Sequence, residues 1–284
     1  MKKISIFFVS MMLVIFLSLS AQPATLIAGN TNGDIDLLDT VADTQTFMYN
    51  IGFGATGLAV DDLKGILYAS GGAGWGSLSA FNLATGTALQ TPIASGYGEA
   101  YGAEFVYDNG VGRLFSLGMS GGVNHLIEYS LNLDGTIAGV LSAIPILDIT
   151  DPQNPKNIGT SMGLAYDVVE GKFHFNRADN MFYELNMDGT AVALFGLGLT
   201  SAHGLAFQDG LTYSITAGGY ANCVVSYDFH NTPHQIPEIT NPPASPHWAL
   251  SGTTTPIIGV IPEPGLLSMV LAGIFCLVFL RRRS

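Results

Sequence analysis

Positive charge is scarce in this chain. Of 284 residues only ten are Lys or Arg, against 22 Asp or Glu, and all charged residues together make up 11%, where a globular protein carries about 25%. Five of the ten cations stand at the extremes, as Lys2, Lys3, Arg281, Arg282 and Arg283, which leaves Lys64, Arg113, Lys156, Lys172 and Arg177 between them. Those five face 21 of the 22 acids, so the middle of the chain sits near −16. Following a phosphate backbone needs clustered Lys and Arg, and a nucleic-acid partner is therefore not expected. Cysteine is nearly absent too. Cys276 lies in the apolar C-terminal run and Cys223 stands by itself in Asn222-Cys223-Val224-Val225. No intramolecular disulfide or Cys-based zinc motif can be built from that pair, and Cys223 reads as a small buried apolar residue.

Long apolar runs are confined to the two ends. Lys2-Lys3 followed by Ile4–Val9 and Met11–Leu17, ending in Ser18-Leu19-Ser20-Ala21, has the charged, apolar and small-residue regions of a secretory signal peptide. Residues 1–23 are assigned to it, with removal by signal peptidase between Ser20 and Ala24, so the remainder is expected to be exported. At the other end Leu266–Leu280 carries no charge and stops at Arg281-Arg282-Arg283. Fifteen residues make a helix of about 22 Å against a hydrocarbon core of about 30 Å, a gap that snorkelling arginines and local thinning can close. The basic cluster keeps the C-terminus cytoplasmic and places residues 24–260 outside.

Ile261-Pro262-Glu263-Pro264, the apolar helix and the terminal arginines together resemble the PEP-CTERM sorting signal of bacterial exported proteins. The resemblance covers about the last two dozen residues. It implies that Pro262, Glu263, Pro264, Arg281, Arg282 and Arg283 are read by a membrane-embedded exosortase, a cysteine protease-transpeptidase system associated with exopolysaccharide production. Gly265-Leu266 departs from the small hydroxyl residues that many members carry there. Physically, two prolines hold the tripeptide extended, as a protease groove requires.

Between the ends helical periodicity is missing, and a repeat takes its place. Gly57-Leu58-Ala59-Val60-Asp61, Phe105-Val106-Tyr107-Asp108, Gly163-Leu164-Ala165-Tyr166-Asp167 and Gly204-Leu205-Ala206-Phe207-Gln208 share one pattern. Each is followed by a Gly-containing turn and a second strand-like piece: Ile66–Ser70, Leu114–Leu117, Phe173–Phe175 and Leu211–Ser214. Third pieces run over Leu78–Leu83, Leu126–Leu131, Met181–Leu185 and Val224–Asp228. Three of these lead into Thr85-Gly86, Asp134-Gly135 or Asp188-Gly189, read as two-residue hairpin turns in which both residues take φ > 0. The repeat spacings are 47, 59 and 41 residues. Three or four short strands per unit at that period predict an all-β fold, a β-propeller of about five blades, with an irregular β-sandwich as the alternative.

Thr25–Thr40 matches only the later part of a unit, with Asn32-Gly33 as its hairpin turn. That is expected when one blade is shared by both chain ends, and the missing strand is sought in His247–Leu250 or Ile257-Ile258. The repeat is similar to those of surface-layer-like and gluconolactonase-like propeller superfamilies, a likeness that supports the fold without carrying a function. The propeller is assigned to residues 24–231. Residues 232–260, dense in proline, are assigned to an extended stalk that includes a blade-closing strand if one exists, and 261–284 to the sorting signal.

Candidate chemistry is sparse. Gly159-Thr160-Ser161-Met162-Gly163 fits the nucleophile-elbow pattern, yet a loop precedes it and a strand follows where that pattern needs a strand and then a helix. Of the six histidines His230 and His234 stand four apart, but in a proline-containing loop rather than on a helix, and each histidine is read as solvent-facing. His203, ahead of Gly204-Leu205-Ala206, is the best placed of them for a ligand at the blade tops. Trp75 and Tyr97 could stack on sugar rings. Asn30, Asn32, Asp34 and Asp36 present oxygens at alternate positions as a Ca²⁺ loop does, without the downstream bidentate Glu. Asp61, Asp108 and Asp167 recur from repeat to repeat and are read as turn acceptors.

The expected protein is therefore exported and surface-tethered, with a binding or structural role in the cell envelope or exopolysaccharide matrix, no catalytic residues and no cofactor beyond the Ca²⁺ candidate. Its expected partners are signal peptidase, the exosortase, the membrane through its C-terminal helix, and exopolysaccharide. The alternative is a secreted propeller hydrolase or lactonase with a metal in the central channel. Carboxylate, Asn and His side chains converging at the channel mouth would favour the enzyme; Gly, Ser and aromatic residues there would favour binding.

Overall fold

The computed structural model describes residues 25–71, 76–177, 181–196, 202–216, 223–229, 235–239 and 247–252, and these form 22 strands. The chain begins with β1 (Thr25–Asn30), β2 (Asp34–Asp39) and β3 (Thr44–Asn50). Blade I follows as β4 (Ala55–Asp61), β5 (Ile66–Gly71), β6 (Ser77–Asn82) and the two-residue β7 (Ile93–Ala94). Blade II is β8 (Gly98–Asp108), β9 (Val111–Ser120), β10 (Val123–Leu131) and β11 (Ile137–Pro145). A short hairpin, β12 (Leu147–Asp148) and β13 (Lys156–Asn157), precedes blade III: β14 (Ser161–Asp167), β15 (Lys172–Arg177), β16 (Met181–Leu185) and β17 (Thr190–Gly196). Blade IV is β18 (Ala202–Gln208), β19 (Leu211–Thr216), β20 (Cys223–Tyr227) and β21 (Gln235–Ile239), and β22 (His247–Gly252) comes last.

Each blade is an antiparallel sheet that starts at its inner strand, and the fifth is assembled from both parts of the chain in the order β22-β1-β2-β3. β22 pairs with β1 through Leu26↔Gly252, Ile27↔Ser251 and Ala28↔Leu250. The inner strands β4, β8, β14, β18 and β22 each lie beside the next, and β22 returns to β4. This closed ring of five blades is the propeller that the repeats predict, and the four repeat segments lie in four of its five inner strands.

Glycine sets how close the inner strands come. A Cβ on Gly57 would lie 2.5 Å from the Gly102 carbonyl carbon, one on Gly102 2.7 Å from the Leu164 nitrogen, and one on Gly204 2.4 Å from the Leu250 nitrogen. Backbone therefore packs on backbone at three seams of the ring. Outside the ring, both faces of each sheet are covered by neighbouring blades, which is why β4 and β5 are buried along their whole length and read as near-continuous apolar runs. Tyr68, Leu78, Phe105 and Ile127 fill the space between blades I and II, and Phe115, Leu126, Phe173 and Phe175 that between II and III.

Two expectations are corrected and one irregularity is explained. The stretch assigned to a stalk holds the closing strand sought at His247–Leu250, as β22, and beyond that expectation the outer strand β21, so the propeller runs past residue 231 to Gly252. Pro237 is tolerated because β21 is an outer strand, where a missing backbone donor costs least. The turns at Asp134-Gly135 and Asp188-Gly189 are not two-residue turns. Gly135 and Gly189 bond back to the Asn132 and Asn186 carbonyls at 2.9 and 3.0 Å, and Asn132 and Asn186 to the Thr136 and Thr190 carbonyls at 2.8 and 2.9 Å. Only the glycine takes positive φ, 88° in both, as in a type I turn closed by a bulge. Paired positive φ occurs instead at Asn109-Gly110 and Asp209-Gly210. Finally, the 59-residue spacing between the second and third repeats comes from the β12–β13 hairpin, whose β12 runs parallel to β17 at the outer edge of blade III.

Candidate functional site at the mouth of the channel

Gly57 meets Gly102 and, farther along, Asp61 meets Tyr107, so β4 and β8 run side by side in one direction. The inner strands thus begin together on one face, the mouth face, and end together on the other, the turn face. Tyr97 precedes β8 on the mouth face. Its loop is pinned by Ser95, whose hydroxyl donates to the Tyr97 carbonyl at 2.9 Å and accepts from the Tyr97 N–H at 3.1 Å. Gly76 and Gly118 leave room for it, since a Cβ at either would lie 2.1 Å from Tyr97 O or 3.0 Å from Tyr97 Cβ. The half-buried Tyr97 ring lies 4.9 Å from the His125 ring, tilted by 50°.

Next to Tyr97 the start of β14 brings Thr160, Ser161 and Met162 to the same face. Ser161 is buried and its Oγ accepts from the Asn124 side-chain amide. Asn124 is fixed in turn by its backbone, which donates to Ile158 O at 3.0 Å and accepts from Ile146 N–H at 2.8 Å. Ser161 therefore begins a strand and serves as a hydrogen-bond acceptor for an amide. The Thr160 hydroxyl faces Met119 Sδ at 3.9 Å, and Arg177 donates to the Tyr183 hydroxyl at 3.1 Å. His203 occupies the second position of β18, on this face. Trp75 falls outside the described residues, as do Pro262, Glu263, Pro264, Arg281, Arg282 and Arg283.

Three of the four oxygen-bearing candidates, Asn30, Asn32 and Asp34, come together as a hydrogen-bonded turn between β1 and β2. Asn30 Oδ1 accepts from the Asn32 and Asp34 N–H groups, both at 2.9 Å, and Asn30 Nδ2 donates to Asp34 Oδ2 at 2.9 Å. Asn50 Nδ2 donates to Asp34 Oδ1 at 2.7 Å and to Asn32 O at 3.0 Å. Every oxygen that a calcium ion would use in Asn30 and Asp34 already faces an N–H donor. Asp36 is buried farther along β2. Among the described residues no cluster of three or more His, Cys, Asp or Glu is arranged to hold a metal.

His174 corrects the reading of all histidines as solvated. It is buried, with Nδ1 2.9 Å from Thr212 Oγ1 and its ring 4.4 Å from that of Phe229, between blades III and IV. On the turn face Asp61 and Asp167 cap their turns, accepting from Lys64 N–H at 3.1 Å and Val169 N–H at 2.8 Å. Asp108 instead pairs with Arg113 at 3.1 Å, because its two-residue turn offers no such donor.

One ionisable residue of the ring escaped the sequence. Glu104 pairs with Phe115, the register at which Leu58 pairs with Ala69 in blade I and Leu164 with Phe175 in blade III. A carboxyl thus occupies a leucine seat between blades II and III. Burial pushes its pKa up to about 8, partly offset by the Phe105 and Tyr166 N–H groups. Oε1 accepts from Phe105 N–H at 3.2 Å, while Oε2 is buried without a partner. Counting the repeat back from Asp108 sets Glu104 against Gly57, one residue out of register, which hid it.

No protein family profile matches the chain, and no curated protein sequence matches it. Its fold does match solved structures. Over 81% of this chain it is similar to a nidogen/laminin complex structure, covering 85% of that chain at a TM-score of 0.50 and 13% identity. It is also similar to a structural-genomics protein of unknown function from Bacteroides thetaiotaomicron VPI-5482, at a TM-score of 0.54 and 13% identity, over 81% of this chain and 62% of that one. At such identities the likeness establishes the propeller architecture alone.

Proposed function

We propose that the chain is an exported propeller held at the cell surface through its C-terminal sorting signal, and that it binds a polysaccharide of the envelope or matrix at the mouth face. One observation carries the binding half: the side chains described there include the aromatic Tyr97 and His125, the Thr160 and Ser161 hydroxyls and Met119, beside Arg177, whose guanidinium is held on the Tyr183 hydroxyl. Sugar rings stack on such aromatics and bond to such hydroxyls, whereas hydrolysis through a channel metal calls for converging carboxylates and histidines. The sorting half rests on the resemblance of residues 261–284.

Binding of the full-length chain to a polysaccharide array tests the first half. Tyr97→Ala should reduce retention at least tenfold while the variant still unfolds in one cooperative transition. Retention unchanged in that variant, or a stoichiometric bound metal in the purified chain, would remove the proposal. For the second half, Glu263→Ala and deletion of Arg281–Arg283 should each alter the size and location of the protein in its host. Normal processing of both would exclude exosortase sorting.

A further inference from the structure

The seam between blades II and III shows how this fold holds a guanidinium. Arg113 lies with Cζ 5.0 Å above the Phe115 ring and donates to the two Glu128 oxygens at 2.8 and 3.1 Å. It also donates to Asp108, the acid that ends inner strand β8, at 3.1 Å, and its Nη1 reaches Met187 Sδ at 3.2 Å in the Asn186–Gly189 turn of blade III. Aromatic ring, carboxylate and turn side chain together satisfy a planar cation.

The seam between blades I and II presents a carboxylate, an aromatic ring and a turn side chain on the turn face as well, with Ser79 at the register position of Glu128 and no arginine among the residues that line it. Asp61 ends inner strand β4, Leu133 takes the place of Met187 in the Asn132–Gly135 turn, and Phe105 supplies the ring. A cleft of about 500 Å³ opens among them. Asp61 is wholly buried at its inner end; Oδ1 accepts from Lys64 N–H at 3.1 Å and from the Tyr107 hydroxyl at 2.5 Å, and Oδ2 has no partner. Gly112 leaves the Phe105 ring open to the cleft, since a Cβ there would lie 2.6 Å from Phe105 Cζ. Val111 and Leu133 form an exposed apolar rim, 63% and 101% accessible.

Charge selects the occupant. Asp61 and Lys64 are the charged residues that line the cleft, with Asp62 beside Asp61 and Asp134 beside Leu133 in the chain, and the Lys64 ammonium already rests on the Leu133 carbonyl at 3.1 Å, away from Asp61 Oδ2. We propose that this cleft receives an arginine side chain from an extended basic segment of a partner protein. The guanidinium stands at Asp61 Oδ2 and the methylenes run along Phe105, Val111 and Leu133. Tyr107, 41% exposed at the open end of β8, moves its hydroxyl aside to admit the cation. The site is separate from the mouth face and independent of the proposed glycan binding.

Calorimetric titration of the full-length chain tests this with three probes: acetyl-Gly-Arg-Gly-amide, the same peptide with citrulline for arginine, and free argininamide. The arginine peptide should bind, and the citrulline peptide at least tenfold more weakly. Asp61→Asn should cost at least tenfold in affinity for the arginine peptide and leave the melting temperature unchanged, because the Asn oxygen still accepts from Lys64 N–H. Should that variant fail to fold, Leu133→Ser, at a fully exposed rim position, should still weaken binding severalfold. Equal binding of the citrulline peptide, undiminished binding by either variant, or no binding at millimolar peptide would overturn the proposal. Argininamide binding as tightly as the peptide would assign the cleft to a free small cation and also overturn it.

Discussion

Glu104 is the residue with the largest measurable consequence. In the unfolded chain its pKa is 4.5 and in the fold about 8, so the folded state keeps a proton that the unfolded state releases. Stability from this group is complete below about pH 4.5 and declines until about pH 8. Glu104→Gln mimics the protonated form at every pH. Chemical denaturation should therefore show the variant more stable than the parent at pH 8, by about 2 to 4 kcal/mol, with the difference largely gone at pH 4.5. A parallel pH dependence of the two proteins would show that Glu104 is solvated. Single residues of this kind were the least legible in the sequence. The turn role of Asp61 followed from its recurrence, but the burial of His174 depends on Thr212 and Phe229 in the next blade, which no local pattern announces.

At the scale of elements, legibility follows burial. Inner strands are covered on both sides; three of the four internal ones carry Gly-Leu-Ala and the fourth, β8, an apolar run ending in Asp108, so all four were readable. Outer strands face solvent on an edge, as in the largely exposed β3, or shrink to two residues, as in β7, and so impose little pattern. β21, in the proline-rich stretch, was masked by the residues that make an outer edge safe from further pairing. The glycines of the ring were visible in the repeat, but their reason was not: it is contact between backbones of different blades. Gly57→Ala should destabilise by about 3 kcal/mol or more, since neither Gly102 nor Ala103 can retreat. Gly139→Ala, in an outer strand with nothing within 4 Å of the added carbon, should leave stability within about 0.5 kcal/mol. Similar denaturation midpoints for the two variants would mean that the inner strands are farther apart.

On the scale of the whole molecule, the account depends on closure. β22 supplies both the inner strand of blade V and the last side of the mouth, joining residues 26–29 to residues 249–252 across nearly the whole sequence. An incomplete first repeat implied such a strand, and His247–Leu250 was one of two places to seek it; pairing partners so distant in sequence leave no local signal by which to choose. The ring gives every blade two neighbours, and without β22 both blade IV and blade I would lose one flank. Native-state hydrogen exchange on the full-length chain measures this directly. The amides that join β1 to β22 should exchange as slowly as those of the fully buried β5, all reporting one global opening. Fast exchange of 26–29 and 249–252 beside slow exchange in blades I to III would mean that the ring is open, and with it the mouth.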